Sequence, residues 1–477
     1  MNNHHISKRK RQAILFFSYG FMTLATIVIT VVCLLLVLGY QFNIRAGKLE
    51  QGGLLQFRSI PAGATVTVDD VTQSFVTPGK LEVSAGIHTV EMSKAKYQTW
   101  QKSVRVPAGQ LRWLDYTRLV PSKIVTTTIR PAEGVIAALP TPDKTTMVTL
   151  TAQSPRSLEL YDIRDTTKVG VKTLVITDSL LTLQPDQPSG LSLIEWDRDS
   201  RYLLLAHVSG ANTEYLRIDR TASDGAVRNI SKEFNLPFRG MHFSGNNANV
   251  LYAMTDRDIR RVDMAATSVS RPLVSDVESY SIYGDSTLAY VATRSESKIA
   301  GIYSGDKETI VRRFASTEPV MVDVAEYFHH RYVVVVSRSM VRVVIDPSGT
   351  TASTKDFVSY TLPYEAAWLG FSDNGRMIVA GNGRAFTSYD LETRDVTQVN
   401  PAEAGTVARP AWLDNYYLID NPTGTIRLYE YDGTNSHSIT AANSELPVFL
   451  SSNGTYLFSF GTQENKTVLQ STQMIVN

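Results

Sequence analysis

From Pro121 onward, short and strongly apolar segments begin at Met147, Tyr202, Val250, Leu288, Tyr332, Met377, Tyr416 and Tyr456. Their spacing runs from about 38 to about 55 residues and averages roughly 44, the length of a four-stranded propeller blade. Each segment is too short for a helix and patterns as a strand does. A unit of this kind buries its apolar face only against a copy of itself, so the recurrence points to an all-β ring of stacked sheets. Turn clusters precede most of the starts: Pro142-Asp143-Lys144, Asp197-Arg198-Asp199-Ser200, Ser244-Gly245-Asn246-Asn247, Ser372-Asp373-Asn374-Gly375 and Ser451-Ser452-Asn453-Gly454. Eight repeats fit best. Seven blades stay open, because the widest gap follows the first repeat.

Some 12 to 16 positions after each start comes a second strand, and in six repeats it ends in an apolar residue followed by Asp. These pairs are Tyr161-Asp162, Ile218-Asp219, Val262-Asp263, Ile345-Asp346, Tyr389-Asp390 and Tyr431-Asp432. The pattern resembles the third strand of WD40-like or TolB-like blades, where the acid leaves the strand and caps the turn to the outer one. Repeat four, with Tyr303-Ser304, and repeat eight, with Leu469-Gln470-Ser471, depart from it, and no blade carries the full Gly-His and Trp-Asp signature. That resemblance implies a divergent bacterial propeller. Trp196, Trp368 and Trp412 sit just before turns, where such rings fill the space between blades; stacking on a sugar is the alternative use.

Ahead of the repeats, residues 13–40 hold no ionisable side chain except Tyr19, Cys33 and Tyr40. At about 1.5 Å per residue in a helix, the stretch crosses a hydrocarbon layer of about 30 Å with length to spare. Lys8, Arg9, Lys10 and Arg11 precede it and only Arg45 and Lys48 follow closely, so the stub 1–12 is expected in the cytoplasm and everything after the helix outside. A cleaved signal peptide is the rival reading. Its apolar region is shorter and ends in small residues, whereas Leu34 to Tyr40 reads Leu-Leu-Leu-Val-Leu-Gly-Tyr. The hydroxyls of Ser18, Thr23, Thr26 and Thr30 suit helix packing or bonding to their own backbone.

After a polar linker, 41–53, the chain alternates with period two between turn residues, as half-buried strands do. Thr65-Val66-Thr67-Val68 closes on Asp69-Asp70, Leu81-Glu82-Val83 follows the Thr77-Pro78-Gly79 turn, and the last strands are Gln101 to Val106 and Leu111 to Leu119. This is a compact β-sandwich of about 70 residues. From Leu54 to Leu119 it resembles a PEGA domain, on Pro61-Ala62-Gly63-Ala64, Val66 and Val68 before Asp69, Thr77-Pro78, Ala85-Gly86-Ile87-His88 and Lys96-Tyr97. Ala62 stands where the name has Glu, Asp70 where Gly is usual, and Lys96 where Gly often precedes Tyr. The resemblance implies an envelope module with no shared active site.

Chemistry-bearing motifs are sparse. There is no Gly-x-Ser-x-Gly elbow, HExxH helix or Walker loop. Ser93-x-x-Lys96, Ser295-x-x-Lys298 and Ser372-Asp373-Asn374 mimic elements of penicillin-recognising enzymes, but the Lys-Thr-Gly element is missing and all three fall in strand or turn contexts. His329 and His330 are adjacent, so on a strand they point to opposite faces and chelate poorly. Asp69-Asp70 suits a solvated turn better than a glycosidase dyad, whose carboxyls face one bond. The lone Cys33 lies in the apolar segment, which excludes an internal disulfide and Cys-ligated zinc. With Lys8 to Arg11 set aside, 43 basic residues face 46 acidic ones, a balance of −3 that argues against a nucleic-acid partner.

The sequence therefore predicts an all-β protein: stub 1–12, transmembrane helix 13–40, linker 41–53, PEGA-like sandwich 54–120 and a seven- or eight-bladed β-propeller 121–477. The expected role is a non-enzymatic binding or scaffolding protein of the cell envelope, confined to the lipid bilayer by its helix and recognising a protein or glycan through a propeller face. The alternative is a propeller-type glycoside hydrolase or lyase acting on envelope polysaccharide, which acids and aromatic platforms lining a funnel would favour. No residue is nominated as catalytic, cofactor-binding or metal-ligating, and no cofactor is expected.

Overall fold

In the computed structural model, which describes residues 8–476 apart from 38, 44–47, 183–188, 223–225, 349–354 and 401–408, each of the eight apolar starts lies in, or within one residue of, the second strand of a four-stranded sheet. The chain divides into two compact units, Met1–Lys123 and Ile124–Asn477.

The second unit holds eight four-stranded antiparallel sheets among its described residues. Seven are simple meanders, blades 1 to 7, spanning 135–175, 189–229, 238–269, 277–315, 320–361, 368–399 and 411–441. The eighth takes three strands from the C-terminus, Phe449–Leu450, Tyr456–Gln463 and Lys466–Gln473, and its outer strand from the start of the unit, Thr126–Pro131, with Thr126 opposite Thr472. The two ends of the unit are thus stitched into one sheet. This settles the count at eight blades.

Packing joins the sheets into a ring. One apolar cluster spans blades 1 and 2 (Leu158, Leu160, Leu203, Leu205) and another blades 8 and 1 (Phe449, Phe458, Met147, Tyr161), with further clusters at every junction from blade 2 to blade 7. At the junction of blades 7 and 8 the backbone N–H of Asn443 donates to Phe460 O (2.6 Å) and Gln470 Nε2 donates to Ala441 O (2.7 Å). Second and third strands are almost wholly buried, as in Met377–Gly381 and Phe386–Asp390, because each is covered on both faces by neighbouring blades. Trp196 belongs to the core of blades 1 and 2, and Trp368 and Trp412 pack against that of blades 6 and 7, so the rings fill inter-blade space.

Five of the six Asp residues work as turn caps; Asp346 instead accepts the N–H of Arg331 (2.8 Å) on the neighbouring strand and meets His330 Nδ1. In Asp162, Asp219, Asp263, Asp390 and Asp432 one carboxylate oxygen accepts the N–H of the residue two positions on, at 2.9 to 3.2 Å. In blade 7 the third strand, Thr425–Glu430, stops before Tyr431, so Asp432 caps from outside it.

In the first unit the helix α1, Lys8–Val37, contains an apolar run, Leu15–Leu35, of 21 residues. Thr23, Thr26 and Thr30 each donate a hydroxyl to the carbonyl four residues back, at 2.8 Å. The stretch expected to be a linker is instead structured in part: Tyr40–Asn43 pairs antiparallel with Lys48–Gln51. Two sheets follow. Gly53–Ile60 is central to a three-stranded sheet, antiparallel to Gly79–Val83 and parallel to Leu111–Arg118. Val71–Val76, Thr65–Val68, Gly86–Ser93 and Trp100–Val106 form the other. Leu55, Phe57, Val66, Val90, Met92 and Trp100 are its buried core.

Candidate functional site

First strands of the blades converge. A cavity of about 870 Å³ is lined by the first-strand ends and following turns of blades 2 to 5. A second, of about 490 Å³, is lined by the corresponding parts of blades 1, 2, 6, 7 and 8. Between them the two draw on all eight blades, so the first strands surround the axis and both cavities open on the face of the first-to-second-strand turns.

A β-bulge places the key acid of the larger cavity. In Ser189–Trp196 the pairing slips between Leu193 and Glu195, leaving Ile194 as the extra residue. Leu191, Leu193 and Trp196 all face the core of blades 1 and 2, while Ile194 packs on that of blades 2 and 3. The slip frees Glu195 from an apolar face and re-aims it, the usual effect of a bulge. Its carboxylate meets His242 Nδ1 at 3.0 Å and accepts the N–H of Phe243 at 2.5 Å, tying blade 2 to blade 3. The His242 ring lies edge-on to Tyr280 of blade 4 (5.5 Å between centroids), whose hydroxyl donates to Tyr252 O. Burial drives the Tyr280 phenol strongly upward, so it stays neutral and keeps the proton it donates to Tyr252 O.

Further round, Arg331 of blade 5 holds Glu326 (3.1 Å), and Ser281 donates to Asp323 (3.4 Å). Burial raises the Asp323 carboxyl above the usual range, opposed by the N–H of Val324 and by Ser281. Arg198 is exposed at the rim. Acids, guanidinium groups, an imidazole and hydroxyls therefore share the lining with Phe243 and Tyr283.

Three neighbouring pairs of the turns that rim these cavities are latched to one another. Ser244 Oγ donates to Asp285 O (2.5 Å) and Gly245 N to Gly284 O (3.0 Å), fixing blade 3 to blade 4. Asp143 N donates to Ser200 Oγ between blades 1 and 2, and Asn374 N to Asn415 Oδ1 between blades 6 and 7. These are the sequence's turn clusters, now seen as inter-blade contacts. Within them Ser372 and Ser451 each donate to the Asn two positions on and accept the N–H five positions on. Ser372-Asp373-Asn374 is accordingly a turn.

Elsewhere the histidine pair departs from its expected geometry. Phe328 and His329 are the two left-handed residues (φ 47° and 63°) of a tight hairpin turn, and only His330 is on the strand, with Nδ1 2.6 Å from Asp346. No group of three or more metal-ligating side chains occurs among the described residues. On the opposite face, a cavity of about 760 Å³ abuts Glu214, which is buried and accepts from the Thr182 N–H and hydroxyl, Asn229 and His207. That carboxylate is saturated by donors, a tie between loop and sheet.

In the sandwich, Asp69 and Asp70 form a turn with φ of 49° and 65°. Asp69 reaches His88 Nδ1 (2.6 Å) and accepts the Thr89 N–H (2.9 Å), while His88 Nε2 lies 2.8 Å from Ser84 O. The hydrogen bond to His88 is the main cause holding the Asp69 carboxyl below its ordinary range. One acid clamps two loops and its neighbour faces solvent, so they form no dyad. Residues 53–121 match the PEGA domain. The Asp69–His88 clamp joins two of the segments that carry this resemblance, and the PEGA domain spans all seven strands of the sandwich.

No curated protein matches the chain in sequence. Among solved structures it is similar to an oligogalacturonate lyase in complex with manganese (11% identity, 72% of this chain and 98% of that one, TM-score 0.40). It is also similar to the dihydro-heme d1 dehydrogenase NirN in complex with DHE (11% identity, 81% of this chain and 75% of that one, TM-score 0.44). The propeller assignment rests on sheet order and the stitched eighth blade.

Proposed function

We propose that this protein is a membrane-anchored, extracytoplasmic binding protein of the cell envelope that holds a glycan in the cavity shared by blades 2 to 5. The observation that carries the reading is the make-up of that cavity. Four blades contribute carboxylates, guanidinium groups and hydroxyls beside aromatic rings, and the turns of blades 3 and 4 that border them are hydrogen-bonded to each other. Fixed polar groups around a concave site set orientation without an ordering cost, and sugar hydroxyls are matched by such mixed donors and acceptors. The four cations that open α1, ahead of its apolar run, support an inside N-terminus and an outside propeller.

A second reading, a hydrolase or lyase acting on envelope polysaccharide, is favoured by one observation. Glu195 holds Nδ1 of His242, and Nε2 has no partner among the described residues, the arrangement of an imidazole oriented to take a proton. The test is to present fractionated envelope glycans to the detergent-solubilised full chain, measure binding by calorimetry, and size the glycans afterwards. Binding of an unshortened glycan, weakened at least tenfold in Arg331→Ala, supports the binding protein. Shortening abolished in His242→Gln supports the enzyme. Undiminished binding in Arg331→Ala refutes this cavity as the site.

A further inference from the structure

One face of the PEGA domain is built as if to lie on a lipid surface. Hydrogen bonds tie the backbone just after α1 to the sandwich: Gly52 N donates to Gly39 O (2.9 Å), two residues past the end of α1, and Gly109 N donates to Gly52 O (2.8 Å). A side chain at Gly53 would meet Val106 Cγ1 at 2.4 Å, so the strands Gly53–Ile60 and Trp100–Val106 touch backbone to side chain there. A small cavity of about 250 Å³ lies between Val37, on the last turn of α1, and Leu54, Glu82 and Leu111. The outer face of the three-stranded sheet therefore begins where the apolar helix ends.

Register then orders that face in rows. Glu82, Leu54 and Leu111 stand side by side nearest the helix, and Lys80, Gln56 and Trp113 form the next row. Arg58 lies beyond. Trp113 is 41% exposed, although a ring of its size in a sandwich normally finds a core. Arg58 and Lys80 are exposed and have no hydrogen-bond or ion-pair partner among the described residues. Two residues along a strand is about 7 Å, so Trp113 stands about that far past Leu111. An exposed indole on a face that also carries a lysine and an arginine, beside the end of a spanning helix, is the composition of a membrane–water interface.

We propose that the outer face of this sheet, centred on Trp113 with Lys80 and Arg58, docks on the headgroups of the same bilayer that α1 crosses. The inference rests on α1 being a membrane span. It makes the PEGA domain a membrane-seated base and gives a reason for an uncapped tryptophan on its surface.

The test uses the full chain in vesicles of phosphatidylcholine with one-quarter phosphatidylglycerol. Cys33→Ala is combined with a single new thiol from Lys80→Cys, from Trp113→Cys, or from Val71→Cys, an exposed position on the other sheet. Each thiol carries an environment-sensitive fluorophore, read against headgroup spin-labelled lipid and against aqueous iodide. Strong quenching by lipid at the first two positions, with at least threefold slower iodide quenching than at Val71, is the expected result. Equal iodide access at all three overturns the proposal. So does shielding from both quenchers at Lys80, which would place a protein partner there. If alkaline carbonate strips the chain from the vesicles, the spanning helix itself fails and the proposal with it. The Lys80→Cys arm decides the matter should Trp113→Cys disturb folding.

Discussion

Asp390 is the strand-end acid whose loss the structure makes most costly. It lies between the third strand of blade 6 and the next turn, almost fully buried, and binds Arg376 in a two-pronged pair (Nε to Oδ1 2.9 Å, Nη2 to Oδ2 2.8 Å). Arg376 is buried as well, and its remaining nitrogen reaches Glu392 at 2.7 Å, which in turn accepts the Tyr327 hydroxyl of blade 5. Asp390→Ala leaves the guanidinium buried with one flank uncompensated and removes the cap on the Glu392 N–H. Breaking one partner of a buried pair costs about 3 to 5 kcal/mol, and the surviving Glu392 contact argues for about 3. With about 2.1 cal/mol/K of unfolding entropy per residue over roughly 350 residues, that is about 4 °C in the melting temperature of the propeller. Circular dichroism of the detergent-solubilised full chain at a fixed scan rate reads the shift. Asp263→Ala is the internal comparison: its Arg261 partner is half-exposed at 3.5 Å, so the pair itself contributes less than about 1 kcal/mol. Equal shifts for the two variants, or no shift for Asp390→Ala, would refute the idea that burial separates otherwise similar repeat positions.

Three further outcomes are expected. Gly375→Ala should destabilise blades 5 and 6, because Gly375 has φ of 74° and an added Cβ would sit 2.5 Å from Glu326 O; a melting point unchanged within 1 °C would contradict the packing. Deleting 124–131 strips the outer strand from blade 8 and should yield an aggregating or protease-sensitive chain, whereas a native-like melt would mean the stitch is dispensable. Asp323 has a raised folded pKa, so wild-type stability falls as pH climbs from its unfolded value, about 3.9, through the folded one. Asp323→Asn should therefore melt higher than wild type at pH 7 and lose that advantage near pH 4; a pH-independent difference would place the effect elsewhere.

The repeat was legible because its signal is local: apolar second strands recur about every 38 to 55 residues, and five of the six acids that follow third strands cap their turns, Asp346 being the exception. The stitch was not, since Thr126–Pro131 and Lys466–Gln473 are separated by the whole unit and nothing in either segment names its partner. Eight blades followed only once that pairing was seen. The cavity residues escaped for a related reason. Glu195, His242 and Tyr283 sit within two residues of their first-strand ends, but a bulge sets the direction of Glu195, and a one-residue slip is invisible in composition. The turn clusters were recognised as punctuation, yet their second use, latching blade to blade, depends on neighbours about 40 residues away. Residues 41–53 misled because Tyr40–Asn43 and Lys48–Gln51 are only four residues each and pair only with each other, too short for alternation to stand out from a polar linker.

The most direct test of the binding site is hydrogen exchange of the full chain in nanodiscs, with and without the envelope glycan fraction that binds it. Slowed exchange confined to the turns at 243–247, 283–287 and 326–331 is the expected result. Slowed exchange at 209–213 and 231–239, on the opposite face, or none in the propeller at all, would contradict the assignment of the cavity between blades 2 and 5.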